Sequence, residues 1–336
     1  MLIALAAALA PLIPLPIVTG RLVADARARW LLGVLTVGIV WLAPRELWLA
    51  LIGLWYLIRW PAEGNEGKWL GSLLQWIAVG VTWALLLQIP AAAWPWLPWA
   101  WLAVAGWQVW QTAASRWRWG GRQKGSLGSP VITSLYLALV AAFCPWWGWP
   151  VLALGLALVS SMLAFVAVGA ALVWLWPGLW LAGAAGGLAV ALLWCWSPVV
   201  AGQRLLEWTP RGDTVDSVIS RARGWQLIIH HGRARWLLGH GPMTMEPSLL
   251  KWGSRYDLEL CWGEAFNEPL QVFYEYGVLG LAAVAAFCWR VVPHLTLGDP
   301  WSAAWVAGGV LAMGHWPLRH PSIALPWIAI SARLVQ

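Results

Sequence analysis

Charge is what this chain has least of: of 336 residues only 10% are Asp, Glu, Lys or Arg, against roughly 25% in an average soluble protein. That scarcity excludes a soluble globular enzyme. With 61% hydrophobic residues, it also excludes a disordered chain. Cysteine is scarce as well. The four present (Cys144, Cys195, Cys261 and Cys288) include no C-x-x-C pair, and three fall in apolar segments. Neither a disulfide framework nor a zinc site is supported by that pattern. Phe and Tyr number five each, whereas Trp numbers 34. Indole has an apolar body and one N–H donor and favours the bilayer–water boundary, so the excess points to many crossings. A GC-rich coding bias would also raise Trp, together with Ala, Gly and Arg.

What is there is apolar sequence, with a mean hydropathy of +0.67. A bilayer core takes about 20 apolar residues per helix. The apolar blocks are 2–18, 30–43, 47–58, 69–89, 97–112, 131–148, 150–175 and 179–200, then 270–292, 301–315 and 322–335. The expected fold is an all-α polytopic integral membrane protein with about eleven transmembrane helices. Blocks 30–43 and 47–58 are short enough to form instead one helical hairpin dipping into the membrane. The first block lacks the basic n-region of a signal peptide and reads as a membrane segment.

Basic residues set the orientation. With the N-terminus outside, eleven Lys and Arg fall in the inner short loops and only Arg45 and Arg319 in the outer ones, as the positive-inside rule demands. Residues 201–269 are then expected to lie outside the cytoplasmic membrane. The organisation is a transmembrane bundle over 1–200 (about eight spans), an external loop domain over 201–269, and C-terminal helices over 270–336 (about three spans). The formal charge of +7 thus reports topology, because 201–269 holds eight basic and eight acidic residues. Those eight acids are over half of the chain's fourteen, so polar chemistry is expected there.

Within that loop, Asp213 and Asp216 suggest a helix cap, and Val215, Val218, Ile219, Ala222, Trp225 and Ile229 recur at helical spacing up to Gly232. Arg221 sits one turn before Trp225, so guanidinium and indole share a face. Leu238-Gly239-His240-Gly241-Pro242 reads as a glycine-pinned turn. Asn267-Glu268-Pro269 opens the helix that re-enters the membrane. His230 and His231 are adjacent on a helix and point about 100° apart, which does not make a two-ligand metal site. The basic and aromatic run Ser115–Lys124 is better read as an anchor on anionic lipid than as a nucleic-acid site. Gln75, Gln88, Gln108 and Gln111 lie within apolar blocks and either line a groove or join helices.

Taken in order, Arg221 with Trp225, then Gly239-His240-Gly241-Pro242, then Phe266-Asn267-Glu268-Pro269-Leu270-Gln271, and finally Glu275-Tyr276-Gly277 resemble the signature of the O-antigen ligase and O-antigen polymerase superfamily. Pro317-Leu318-Arg319-His320-Pro321 has a weaker likeness. The resemblance implies transfer of a glycan from an undecaprenyl-diphosphate carrier to a sugar or lipid-core hydroxyl, with no cofactor and no metal. Its partners would be the bilayer, that lipid-linked glycan and the acceptor, with no nucleic acid. A leaving diphosphate calls for cationic, bidentate donors rather than a strong acid, and Arg221 matches the family's loop arginine. Trp225, Gly239, Gly241, Pro242, Asn267, Gln271, Glu275 and Arg319 match positions expected to shape the substrate site. Glu275 reads equally as a functional acid near a membrane helix and as an interfacial residue solvated by the loop.

One position departs from the pattern. The family carries His where this chain has Phe266, and Phe cannot accept a proton. The acceptor hydroxyl then draws on another base, with Glu264, Glu268, His240 and Glu275 as candidates; or transfer proceeds without one; or activity is lost. The related alternatives are a protein-glycosylating oligosaccharyltransferase and a non-catalytic membrane protein that binds or interferes with lipid-linked glycans.

Overall fold

The computed structural model describes residues 46–58, 66–119, 130–159, 161–176, 213–256, 265–314 and 321–336. Its helices are α1 (Leu47–Ile58), α2 (Glu66–Leu86), α3 (Trp96–Trp119), α4 (Pro130–Val140), α5 (Trp149–Val159), α6 (Met162–Leu175), α7 (Asp213–Gly232), α8 (Met245–Tyr256), α9 (Glu268–Val291), α10 (Pro300–Gly314) and α11 (Pro321–Val335). The described residues contain no strand, so the all-helical expectation holds. Among them, residues Glu268–His294 form one helix long and apolar enough to cross a membrane, or two such spans exist if Leu70–Leu86 and Ala91–Ala114 count as a single broken one.

Local sequence explains most helix ends. Prolines open α4, α10 and α11 at the first turn, where a missing N–H costs nothing. Asp299 caps α10, accepting at 2.7 Å from both the N–H and the hydroxyl of Ser302. Two expected blocks are corrected: 131–148 is broken where Cys144 and Pro145 turn extended (ψ 122 and 155), and 150–175 is two helices, α5 and α6, because the chain turns extended at Ser161 (φ −111, ψ 117). Blocks 2–18, 30–43 and 179–200 lie outside the described residues.

The chain forms two compact units that interleave along the sequence. Unit 1 takes Met1–Leu85, His230–Met245 and Val272–Arg290; unit 2 takes Leu86–Ile229, Glu246–Gln271 and Val291–Gln336. In unit 1, Trp48 meets Trp83 and Phe287 edge-on at 5.8 and 5.2 Å. Trp55, Tyr56 and Leu73 form a neighbouring core with Leu238, Tyr276 and Leu279. In unit 2, α4 is the central helix: Leu135, Leu137, Leu139 and Val140 are all fully buried, and α3, α5, α6, α10 and α11 pack against it.

Tryptophan divides into two populations. Several indoles are ties: buried Trp94 donates to Gln336 Oε1 at 2.7 Å, half-buried Trp174 to Thr296 O at 2.8 Å and buried Trp305 to Ser331 Oγ at 3.0 Å. Others, such as Trp96, Trp110, Trp146 and Trp289, are exposed.

Candidate functional site

The motif residues fall into two clusters, one in each unit. In unit 1 the organising feature is a break in α9 at Gly277 (φ 68, ψ −161). In an unbroken helix the N–H groups of Val278 and Leu279 would bond to the carbonyls of Tyr274 and Glu275. The break strands all four groups, and leaving such groups unmet in an apolar interior is expensive. The loop before α8 meets each of them. Tyr274 O accepts from His240 N at 2.8 Å and Glu275 O from Gly241 N at 2.9 Å. In return Val278 N donates to Trp236 O at 2.8 Å, and Leu279 N to Leu237 O at 3.3 Å.

Such a close backbone fit leaves no room for side chains at the crossing. A Cβ on Gly239 would lie 2.4 Å from the carbonyl of Glu275, and one on Gly277 would lie 2.4 Å from Leu237 O. Both residues also have positive φ, at 69° and 68°, where Gly is at home. This couples the Gly-x-Gly-Pro turn physically to the Glu-x-Gly segment. Sequence reasoning named both pieces and missed their pairing.

Side chains brace the crossing. Trp55 Nε1 donates to Leu238 O at 2.9 Å. The Tyr276 hydroxyl lies 2.8 Å from Ser72 Oγ, which lies 2.6 Å from the Tyr56 hydroxyl. Trp76 Nε1 donates to Tyr276 Oη at 3.3 Å. Apart from Tyr276, which lies inside the Glu-x-Gly segment, none of these bracing residues was singled out from the sequence, since nothing in an apolar helix marks one Trp, Tyr or Ser as a partner for a distant loop. The His240 ring stacks on Tyr274 at 4.4 Å, and its Nε2 is 3.1 Å from His231 O. A carbonyl can only accept, so Nε2 carries the proton in that bond and is no base there. Glu275 is buried, and its Oε1 accepts from Met245 N at 3.4 Å. That burial is at odds with reading Glu275 as an interfacial residue solvated by the loop. Pro242 is buried behind the turn, and Thr244 Oγ1 donates to Gly241 O at 2.6 Å.

The second cluster, in unit 2, is built around Ala265–Asn267. Trp225, on α7, donates through Nε1 to Ala265 O at 2.6 Å. Ala265 N donates to Gln271 Oε1 at 3.3 Å. Asn267 caps α9, accepting from Leu270 N at 2.9 Å, and its Nδ2 donates to Met313 O at 2.8 Å. Asn267 and Gln271, at positions expected to shape the substrate site, are both buried and hold backbone. Glu268 is buried in the first turn of α9.

Between those anchors, Phe266 adopts φ 49°, a left-handed conformation that is uncommon for a bulky residue. Its ring lies under the guanidinium of Arg221, with Cζ 4.5 Å from the ring centroid. Burial lowers the pKa of Arg221 from its ordinary value, because desolvation penalises the charged form. The arrangement is a partly desolvated cation held on an aromatic face, and chemically it suits an anion with several oxygens.

Helix α7 begins at Asp213 and ends at Gly232, matching the periodicity read from the sequence. Glu264 and Arg319 lie outside the described residues, as do the side chains of Asp213 and Asp216. The rings of His230 and His231 stand edge-on, and among the described residues no group of three or more His, Cys, Asp or Glu could hold a metal. The clusters differ in kind: one closes a helix break, the other holds a charge. Compared with known protein families and with characterised proteins, the chain matches none.

Proposed function

We propose that this chain is a membrane glycan polymerase or ligase, transferring a glycan from an undecaprenyl-diphosphate carrier to a sugar or lipid-core hydroxyl. The observation that carries the reading is Arg221, a partly desolvated guanidinium seated on the residue that fills the family's His position. The ordered motif residues supply the rest of the resemblance. In this reading the chain spans a bacterial cytoplasmic membrane about eleven times, with 201–269 on the external face.

The chemistry needs little beyond orientation and charge. The acceptor oxygen attacks the anomeric carbon, the bond from that carbon to phosphate breaks, and the carrier diphosphate leaves with the electron pair. Negative charge on the departing diphosphate is met by Arg221, whose N–H donors can bind two oxygens at once. The hydroxyl proton passes to a base. Glu268 stands in the same unit as Arg221 and is the described candidate there, with Glu264 beside it in sequence. Asn267, Gln271 and Trp225 act as framework that fixes Ala265–Asn267, and the reading requires no metal or cofactor.

The test is turnover. Purified protein in proteoliposomes, given undecaprenyl-diphosphate glycan and an acceptor, should release the diphosphate carrier. Arg221→Ala should reduce release about 100-fold or more, the scale of losing a charge-stabilising donor. Tight glycolipid binding without release would favour a non-catalytic binder.

A further inference from the structure

We infer that Phe266 is a positioning residue that sets the Arg221 guanidinium for a diphosphate, an inference that rests on the function proposed above. The argument begins with backbone strain. A Phe at φ 49° is held in a region that costs an L side chain free energy. It persists because its neighbours are pinned on both sides: Ala265 through its N–H and its carbonyl, Asn267 through both ends of its amide. A loop needing only a left-handed residue would be better served by Gly or Asn. What Phe adds is a ring, and that ring lies 4.5 Å from Arg221 Cζ.

A ring differs from a carboxylate in what it leaves behind. A carboxylate would fix the guanidinium and cancel its charge. An aromatic face attracts the cation through its quadrupole and brings no negative charge of its own. The ring thus holds the cation in place without cancelling its charge, so less freedom is lost when it meets phosphate oxygens. The replacement of His by Phe is then an exchange of roles at one position: a proton acceptor gives way to a platform for the cation.

The experiment uses the full chain in detergent with arginine labelled by ¹⁵N, and inorganic pyrophosphate as the probe. The Arg221 Nε–H signal, assigned by its loss in Arg221→Ala, should move when Phe266→Leu removes the ring current. Pyrophosphate affinity should fall about threefold to thirtyfold in Phe266→Leu and recover in Phe266→Tyr. Phe266→Gly separates strain from positioning. It should bind pyrophosphate as weakly as Phe266→Leu, although it relieves the positive φ. An unmoved Arg221 signal in Phe266→Leu, or wild-type pyrophosphate affinity in both Phe266→Leu and Phe266→Gly, would overturn the inference. Equal pyrophosphate binding by wild type and Arg221→Ala would instead overturn the diphosphate role of Arg221, and the signal alone would then decide whether Phe266 positions it.

Discussion

The two motif clusters solve opposite problems. At the Gly277 break in unit 1, four stranded backbone groups of α9 are each paired with the Trp236–Gly241 loop, and side chains only brace the result. At Ala265–Asn267 in unit 2, side chains do the holding, and the product is a strained Phe266 against a partly desolvated Arg221. One cluster minimises unmet polarity; the other maintains a charge in an unfavourable setting. The lesson is that an ordered string of motif pieces need not be one machine. Glycines in such a string report backbone approach, whereas an Arg under partial burial reports chemistry.

Substitutions can break this contrast, beginning with the largest effect. Gly277→Ala should prevent correct folding, because its Cβ would sit 2.4 Å from Leu237 O and the residue has φ 68°. A loss of several kcal/mol is expected, on the scale of the largest single-mutation effects, and gel filtration after membrane extraction would show it. Gly239→Ala should behave alike, since its Cβ would meet the Glu275 carbonyl at the same 2.4 Å. If either variant folds with normal stability, the backbone crossing is misdescribed.

Arg221→Ala should do the reverse, lowering the proposed transfer about 100-fold or more while leaving the melting temperature within a few degrees of wild type. Removing a charge held at a desolvation cost relieves the fold of that burden. An equal collapse of stability would place Arg221 with the structural cluster instead.

Next in size is Asn267→Ala, which removes the cap on Leu270 N and the tie to Met313 O. A destabilisation of about 1–2 kcal/mol is expected, measurable by thermal unfolding in detergent. The smallest effect belongs to Trp55→Phe, which loses the bond to Leu238 O but keeps much of the packing. About 1 kcal/mol is the scale of one such bond, and hydrogen exchange in 236–241 should rise with it.

Much of the architecture was legible before any coordinates. Apolar blocks 47–58, 270–292, 301–315 and 322–335 correspond closely to α1, α9, α10 and α11, because an uninterrupted apolar run in a charge-poor chain has few alternatives to a helix. The division of 150–175 was hidden: Ser160 and Ser161 are unremarkable in an apolar run, and the chain turns extended there without a Pro or Gly to announce it. The abundance of Trp was legible and its use was not, since nothing in the sequence marks Trp94 or Trp305 as a buried tie. In the candidate site, Arg221 and Trp225 were placed on one helix face by spacing alone. That Trp225 reaches Ala265, 40 residues away, was not. Nor was the contact between Arg221 and Phe266, because local periodicity carries no information about which distant ring a side chain meets.

The central claim is that Arg221, on its Phe266 platform, receives a diphosphate. The most direct measurement is a cryo-electron-microscopy structure of the full chain with an undecaprenyl-diphosphate lipid bound. The account predicts diphosphate oxygens about 2.7–2.9 Å from the Arg221 N–H groups, with the Phe266 ring still under the guanidinium. Diphosphate density away from Arg221, with the guanidinium turned to water, would contradict it.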